Sequence, residues 1–378
     1  MDFKFSEDQQ LLKQSIRDFL AKECPSTFVR EMEADEKGHT RELWRRMAEL
    51  GWMGLPFPEK YGGQGGDLLD LAIMMEEMGR ACLPGPFFSS AVLGGLTLLE
   101  AGNESQVKEF LPQIASGKMI FTLALYEPAT TQYDPCLITV KASPKGSNYF
   151  IEGTKLFVSD ANVADSLICV TRTDGEARSE KGITLFLCDA KSPGIQCTPL
   201  KTIAGDKQYE VVFDQVTVPR KNLCGRWNEG WLPLEKVLQK ATVVKCAEMV
   251  GGAQQVLEMA LSYAKKRVQF DRLIGSFQAV QHHFANIVID LEGARWITYK
   301  TAWKLSRGMP CQKEVAVSKA WVSGAYMRIA SLGHQIFGGV GYMVDHDMTL
   351  YSRRAKAAEM AFGDGGGHRR VVAREIGL

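Results

Sequence analysis

A glycine-rich run near the C-terminus of this 378-residue chain contains residue types that suit a catalytic or ligand-binding site. Residues 362–367 read FGDGGG and separate two stretches with helical periodicity. Such a run is either a hinge or a place where the backbone approaches a ligand closely. Asp364 carries a carboxylate within the run, and that carboxylate can either take a proton from a ligand or cap the following helix.

The overall composition excludes several classes of function. The chain is 45% hydrophobic and 24% charged, and its 45 basic and 44 acidic residues give a net charge of +1. A generalised nucleic-acid or membrane-surface role would need a basic excess, so neither partner is predicted. No apolar stretch reaches the roughly 18 residues that span a bilayer. The N-terminal sequence MDFKFSEDQQ resembles neither a secretory signal nor a transit peptide, which predicts a cytoplasmic protein.

The cysteines and histidines give no metal-binding pattern. The nine cysteines lack CxxC spacing, and reduced, mostly buried thiols are expected. The neighbouring residues His282 and His283 point to different sides of a predicted helix, which is poor geometry for a metal ion. No metal site is predicted.

The chain divides into three segments that differ in residue composition and periodicity, and their folding must position the C-terminal run. Residues 1–118 have helical periodicity, with Ser6 and Gln9 forming a capping-box start. Residues 119–228 contain short runs rich in β-branched and aromatic residues, which predict an antiparallel β-barrel or sandwich. Residues 229–378 form long helical stretches, which predict a four-helix bundle with an oligomer interface. The expected fold class is therefore α+β, with a β-domain between two helical domains.

Six local strings in this order resemble motifs of the acyl-CoA dehydrogenase family across essentially the whole chain. They are LGWMGLPFPEKYGGQGG, LYEPATTQYD, GTKLFVSDANVAD, FDQVTVPRKNLCG, KKRVQFDRLIGSFQAVQ and HQIFGGVGY. The resemblance implies an FAD-dependent oxidoreductase that acts on an acyl-CoA substrate and passes electrons to an electron-transferring flavoprotein. It also implies a homotetramer, or a heterotetramer with a second subunit of the same family.

The resemblance implies that the β-domain covers the flavin ring of FAD, while the helices of a neighbouring subunit bind its diphosphate and adenine end. Arg267 would supply a guanidinium to the diphosphate, and Phe270 would lie against the nucleotide. Gln278 and Gln335 would hydrogen-bond the cofactor, while Gly338 and Gly339 would let backbone amides come close to it.

A second set would hold the flavin ring. The family contacts the ring through its TEP and WIT motifs, and the matching positions here are Tyr126-Glu127-Pro128 and Phe157-Val158-Ser159. Ser159 keeps a hydroxyl, Phe157 replaces the usual Trp, and Tyr126 replaces a small Thr.

The family's catalytic base is the main departure. Members remove the α-proton of the thioester with a Glu in a YEGT string, and ungapped counting puts Phe362 at that place, here called the base position. A subset carries the Glu on the first bundle helix, where this chain has Ala241. Asp364 is the nearest carboxylate and the candidate catalytic residue, although it could instead cap the next helix. Glu359 is close in sequence but lies on a helix that points it elsewhere.

Three explanations for the missing Glu stay open. The enzyme could use Asp364 or another acid for an unusual acyl group, such as a cyclic, branched or dicarboxylic chain. It could break a different bond, as an eliminating enzyme or a flavin-dependent monooxygenase on the same fold would. It could also be one subunit of a hetero-oligomer in which the partner supplies the base. The first explanation gives the expected function, an acyl-CoA dehydrogenase.

Overall fold

The computed structural model describes residues 4–128, 137–175 and 179–378. Residues 129–134 of the LYEPATTQYD motif lie outside this description. The helices are α1 (Glu7–Glu23), α2 (Ser26–Ala34), α3 (Arg41–Glu49), α4 (Leu68–Arg80), α5 (Leu96–Ala101), α6 (Glu104–Ala115), α7 (Trp231–Ala264), α8 (Gln278–Ser306), α9 (Gln312–Phe337), α10 (Met348–Met360) and α11 (Gly365–Glu375). The strands are β1 (Phe121–Ala124), β2 (Lys141–Lys145), β3 (Asn148–Ser159), β4 (Ser166–Arg172), β5 (Ile183–Asp189), β6 (Ile195–Leu200), β7 (Gln208–Pro219), β8 (Leu223–Cys224), β9 (Val268–Gln269) and β10 (Arg272–Leu273).

The chain forms two compact units. One unit comprises Met1–Glu31, Leu68–Leu83 and Thr242–Leu378, and the other comprises Met32–Asp67 and Pro84–Ala241. The order of helices, sheet and helices confirms the predicted α+β fold class. The domain boundaries after residues 118 and 228 stay a prediction.

The first unit is a helical bundle whose helices end where local signals predict. Helix α1 begins with the expected capping box, in which the Ser6 hydroxyl accepts from Gln9 N and the Gln9 side chain accepts from Ser6 N. Helix α8 ends just before Gly308, which has a left-handed φ of +65°. Helix α9 packs against α8, α10 and α11.

Two glycines allow α4 and α7 to cross at very short range. A Cβ atom on Gly79 would lie 2.0 Å from the Glu248 carbonyl oxygen, and one on Gly251 would lie 1.7 Å from that of Glu76. Only glycine fits at either position, so these two residues fix how α4 lies against α7.

The second unit contains an eight-stranded sheet in the order β6-β7-β3-β2-β4-β5-β8, with β1 paired to β4. Most pairings are antiparallel, as predicted, but β1 and β2 each pair with β4 in parallel. A parallel neighbour needs a long return of the chain, and the β2–β3 hairpin between β1 and β4 provides it. Every residue of β4 is buried, which agrees with the apolar run LICV at its centre.

No helix among the described residues is long and apolar enough to cross a membrane.

Candidate functional site

The three residues predicted to hold a flavin ring come together beside β1 and β3. Tyr126 follows β1, and its carbonyl oxygen accepts a hydrogen bond of 2.9 Å from Leu156 N on β3. The Ser159 carbonyl at the end of β3 accepts a bond of 2.6 Å from the Thr122 hydroxyl on β1. The Ser159 hydroxyl lies 3.0 Å from the side-chain nitrogen of Gln208. Phe157 lies on β3 between Leu156 and Ser159, the two residues that make these backbone hydrogen bonds.

Phe157 presents its ring at the surface in an unusual backbone conformation. The pairing of β3 with β7 is irregular between Lys155 and Val158, and Phe157 has a left-handed φ of +53°. That conformation costs a non-glycine residue about 1 kcal/mol or more. The side chain is 41% exposed although it is large and apolar. A left-handed backbone and a large exposed apolar side chain thus coincide at this one residue.

A buried ion pair, which sequence reasoning missed, joins the two segments that carry these residues. Lys155 Nζ is 2.7 Å from Glu127 Oε1, and it also donates to the Leu125 carbonyl at 3.1 Å. Both side chains are buried. Glu127 also accepts hydrogen bonds from Thr139 N, from the Thr139 hydroxyl and from Val140 N. The one signal in the sequence is a lysine within the otherwise apolar end of β3.

Burial and the lysine act on the pKa of Glu127 in opposite directions. Burial alone would raise the pKa, but the Lys155 ammonium and the hydrogen bonds from Thr139 and Val140 outweigh it. The pKa of Glu127 is therefore lowered, and the carboxylate is ionised at neutral pH. This pair ties the segment after β1 to β3 through a charge-assisted hydrogen bond.

The residues predicted to hold the diphosphate surround a tight turn after α7. Strands β9 and β10 form a two-stranded ribbon, and Phe270 in its turn has a left-handed φ of +52° and is 86% exposed. The Arg267 side chain is exposed, and within the described residues its guanidinium has no hydrogen bond or ion pair. Gln278, the first residue of α8, is also exposed.

Gln335, Gly338 and Gly339 form a second exposed group at the end of α9. Gly338 has φ +63° and ψ −146°, a combination essentially restricted to glycine. A Cβ on either glycine would meet nothing within 4 Å, so the backbone there is open to an approaching ligand. Tyr263 links this group to the Arg267 turn. Its ring lies 4.8 Å from that of Phe337, and its carbonyl accepts from Arg267 N at 2.9 Å.

The loop between α10 and α11, residues 361–364, is here called the base loop. Phe362 has a left-handed φ of +58° and is 6% exposed. Asp364 is the N-cap of α11, since its Oδ1 accepts a hydrogen bond of 2.6 Å from Gly367 N. The Glu359 side chain instead accepts from Lys356 at 2.8 Å, and Ala241 is fully buried. Asp364 is thus the carboxylate within the base loop, and it has a capping role.

His368 is a second residue that sequence reasoning missed. It lies on α11, and its Nε2 is 2.9 Å from the Phe362 carbonyl oxygen. Because that oxygen can only accept, Nε2 carries the proton, and Nδ1 is buried without a hydrogen-bond partner among the described residues. Burial lowers the pKa of His368, so the imidazole is neutral at pH 7.

The described cysteines are free thiols, and Cys197 is the exposed one among them. Within the described residues, no three His, Cys, Asp or Glu side chains group in a way that could hold a metal ion.

Family models match three consecutive parts of the chain. The models are those of the acyl-CoA dehydrogenase N-terminal domain at residues 6–118, middle domain at 122–216 and C-terminal domain at 228–377.

Individual proteins are similar over nearly their whole length. A probable acyl-CoA dehydrogenase, YngJ, of Bacillus subtilis is 33% identical, with all of both chains covered. The caffeyl-CoA reductase-Etf complex subunit CarC of Acetobacterium woodii is 30% identical over 92% of this chain and 93% of that one. A chain of the ChsE4-ChsE5 complex from Mycobacterium tuberculosis superposes with a TM-score of 0.89 at 29% identity, covering 100% of this chain and 99% of its own.

Proposed function

Because the chain belongs to the acyl-CoA dehydrogenase family, whose members use FAD, we propose that it introduces a double bond between the α and β carbons of an acyl-CoA thioester. The observation that carries this proposal is the exposed side chain of Phe157, which stands on a left-handed backbone two residues after Lys155 of the buried Lys155–Glu127 pair. An exposed aromatic ring suits stacking against another flat ring. FAD, when bound, accepts the hydride that leaves the β-carbon.

The residues on the two turns of the helical unit suit the diphosphate and adenine end of an FAD whose flavin ring a neighbouring subunit holds. The exposed guanidinium of Arg267 suits a diphosphate, which needs paired N–H donors and positive charge. Phe270 offers an exposed ring to the nucleotide, and the open backbone at Gly338 and Gly339 admits close contact. Gln278 and Gln335 add exposed amides that can donate and accept hydrogen bonds.

The residues beside β1 and β3 would hold the flavin ring. Phe157 would lie against its face, while Tyr126 and Ser159 would meet its polar edge. The Lys155–Glu127 pair would keep these three residues in place, because it joins the segment after β1 to β3.

Asp364 is the proposed acceptor of the α-proton in this chain. The base position itself holds Phe362, which has no basic group, so the carboxylate two residues later is the nearest substitute in sequence. Its capping bond to Gly367 N fixes where the carboxylate lies. A shifted base would suit an acyl group of unusual shape, such as a cyclic, branched or dicarboxylic chain.

A second candidate function is that of one subunit in a hetero-oligomer. Neither Phe362 nor Ala241 carries a carboxylate, and a chain of similar fold stands in the ChsE4-ChsE5 complex. In that case a second subunit would supply the base. The electron acceptor in either case would be an electron-transferring flavoprotein, which agrees with the similarity to a subunit of an Etf complex.

Anaerobic titration of the purified chain with acyl-CoA thioesters tests the proposal. The probes are straight-chain thioesters from butyryl-CoA to palmitoyl-CoA, together with branched, cyclic and dicarboxylic examples. We expect a yellow protein whose visible flavin absorbance bleaches with at least one probe. A matched variant, Phe157→Leu, should bind less flavin, whereas Phe150→Leu on the same strand should not. A chain that stays colourless after incubation with FAD, alone and together with a second family subunit, would contradict the proposal.

A further inference from the structure

Lys319 is a fully buried lysine in the middle of α9, at 0% exposure. Lysine is rarely buried to this extent unless its charge has partners. Here Nζ donates to the Ser323 hydroxyl at 3.0 Å, to the Ala358 carbonyl at 3.0 Å and to the Glu359 carbonyl at 2.7 Å. A protonated lysine has three N–H donors, and these three acceptors use all of them.

The two carbonyls belong to the last turn of α10, immediately before the base loop. The last four carbonyls of a helix have no partner within the helix, and the negative end of the helix dipole favours a cation there. Lys319 supplies that cation from a neighbouring helix, since α9 packs against α10. The end of α10 is therefore fixed by α9 as well as by its own hydrogen bonds.

The base loop is also held from its other side. His368 on α11 donates to the Phe362 carbonyl at 2.9 Å, and Asp364 accepts from Gly367 N at 2.6 Å. Helix α11 packs against α9 as well, so one helix supports both flanks of the loop. Lys319 and His368 thus bind carbonyls on either side of Ala361.

The charge on Lys319 is kept against the effect of burial. Burial lowers the pKa of Lys319 to about 8, opposed by Cys246 on α7 and by Glu359 and Asp364 beside the base loop, while Lys245 on α7 lowers it further. Lys319 also contributes to the lowered pKa of His368 on α11.

The sign of the resulting linkage follows from this direction. The pKa of an unfolded lysine is about 10.4, so the unfolded chain binds the extra proton between pH 8 and that value. The stability linked to this group therefore rises over that range and is lower at neutral pH. Burial of the Lys319 ammonium therefore does not favour folding at neutral pH. Its place beside the base loop points instead to a role in positioning that loop.

We propose that Lys319 is a positioning residue, which sets the place of Phe362 and Asp364 by binding the terminal carbonyls of α10. The inference rests on the proposed function, because the base loop matters through the proton that leaves the acyl-CoA substrate. Lys319 itself touches neither substrate nor cofactor in this scheme.

Hydrogen exchange of the holoprotein tests the inference without any substrate. The variants are Lys319→Met, which keeps the length of the side chain but removes its donors, and Lys304→Met as a control. Lys304 is paired with Glu314 near the turn between α8 and α9. In Lys319→Met we expect amide protection in residues 358–364 to fall about tenfold or more, the factor that follows from losing a charge-assisted hydrogen bond. Protection in α8 should stay unchanged, and Lys304→Met should match the wild type in residues 358–364.

Stopped-flow flavin reduction supplies a readout that a merely structural role would not move. With the thioester that bleaches the wild type, Lys319→Met should reduce its bound flavin about tenfold more slowly, with a smaller change in KM, while Lys304→Met should keep the wild-type rate per bound flavin. Unchanged protection of residues 358–364 in Lys319→Met would overturn the inference, as would loss of protection spread evenly over the bundle. An unchanged rate per bound flavin in Lys319→Met would also overturn it.

The two proposals fail in different ways. In one case no thioester bleaches the wild type, but exchange in residues 358–364 responds to Lys319→Met as expected. The proposed function is then wrong, while the positioning of residues 358–364 by Lys319 is confirmed. If Lys319→Met does not fold, Lys319→Gln takes its place, since Gln keeps two N–H donors on a shorter side chain. It should lose protection in residues 358–364 to a smaller extent, and wild-type protection in Lys319→Gln would count against the inference.

Discussion

Lys155 Nζ lies 2.7 Å from Glu127 Oε1, with both side chains almost completely removed from solvent. The two residues stand 28 positions apart in the sequence, and their bond joins the segment after β1 to β3. Tyr126 and Phe157 are each close neighbours of this pair along the chain. The ion pair therefore determines where the proposed flavin-contact residues lie.

Breaking this pair should strongly destabilise the protein. Glu127→Gln or Lys155→Met leaves one buried charge without its partner, which costs about 3–5 kcal/mol. The double variant should lose less than the sum of the two single variants, because neither charge is then left alone. Urea unfolding measures both effects. The exposed pair of Arg45 and Glu49 is the control, and Arg45→Ala should change stability little.

The pH dependence has a defined sign for Glu127. Its pKa in the folded protein is below the usual value, so its contribution to stability is present above the unfolded pKa of about 4.3 and is lost as pH falls through the folded pKa. Equal acid sensitivity of the wild type and Glu127→Gln would contradict the assignment.

Replacing Arg267 should abolish FAD binding but leave the fold of the protein intact. Its exposed guanidinium is the proposed partner of the FAD diphosphate, and a charge-assisted contact of this kind is among the strongest polar interactions. We expect Arg267→Ala to purify with little bound FAD and an unchanged unfolding midpoint of the apoprotein. Lys265→Ala, two residues earlier and also exposed, should keep its flavin. Full flavin content in Arg267→Ala would refute the assignment.

Two substitutions at Asp364 separate a catalytic role from a capping role. Asn is about as good an N-cap as Asp, so Asp364→Asn should keep the stability of α11, whereas Asp364→Ala should lose about 1 kcal/mol. If Asp364 takes the α-proton, Asp364→Asn should bind FAD normally and show strongly reduced flavin reduction by the active thioester. Wild-type turnover in Asp364→Asn would leave Asp364 with the cap alone and would favour a base on another subunit.

Phe362→Glu should create or increase α-proton abstraction from straight-chain thioesters. It places a carboxylate at the base position, and a tenfold gain in rate needs only about 1.4 kcal/mol of transition-state stabilisation. Phe362→Gln has the same shape without the charge and should show no gain. Flavin reduction by butyryl-CoA compares the two variants. No difference between them would mean that the base position of this chain does not face the substrate.

Local signals were sufficient for much of the fold. The capping box at Ser6 and the glycine after α8 act within one helical turn, so the sequence predicts these helix ends correctly. The continuous apolar run of β4 likewise reflects a strand covered on both faces. The parallel pairing of β1 with β4 was not predicted, because strand order depends on how distant segments meet.

For the candidate site, too, some features could be predicted from the sequence and others required the tertiary structure. Motif resemblance singled out Arg267, Phe157 and the base position as candidates, since each lies in a short string that can be recognised in order. The structure added the left-handed backbone of Phe157, Phe270 and Phe362, which no local pattern indicates. It also assigned Asp364 Oδ1 to the Gly367 amide, where the sequence left both a base and a cap open and favoured the cap.

The sequence by itself determined the order of the domains, the family and the absence of a Glu from both usual base positions, because these are properties of residue identity and short-range spacing. Only the tertiary structure decided that Lys155 binds Glu127, 28 positions away. The same holds for Lys319, which binds two carbonyls at the end of α10, 39 and 40 positions away. A lysine in a sequence looks the same whether it is solvated or buried. Its hydrogen-bond partners are the backbone and carboxylate oxygens that become buried next to it on folding. Which oxygens these are depends on the packing between distant segments.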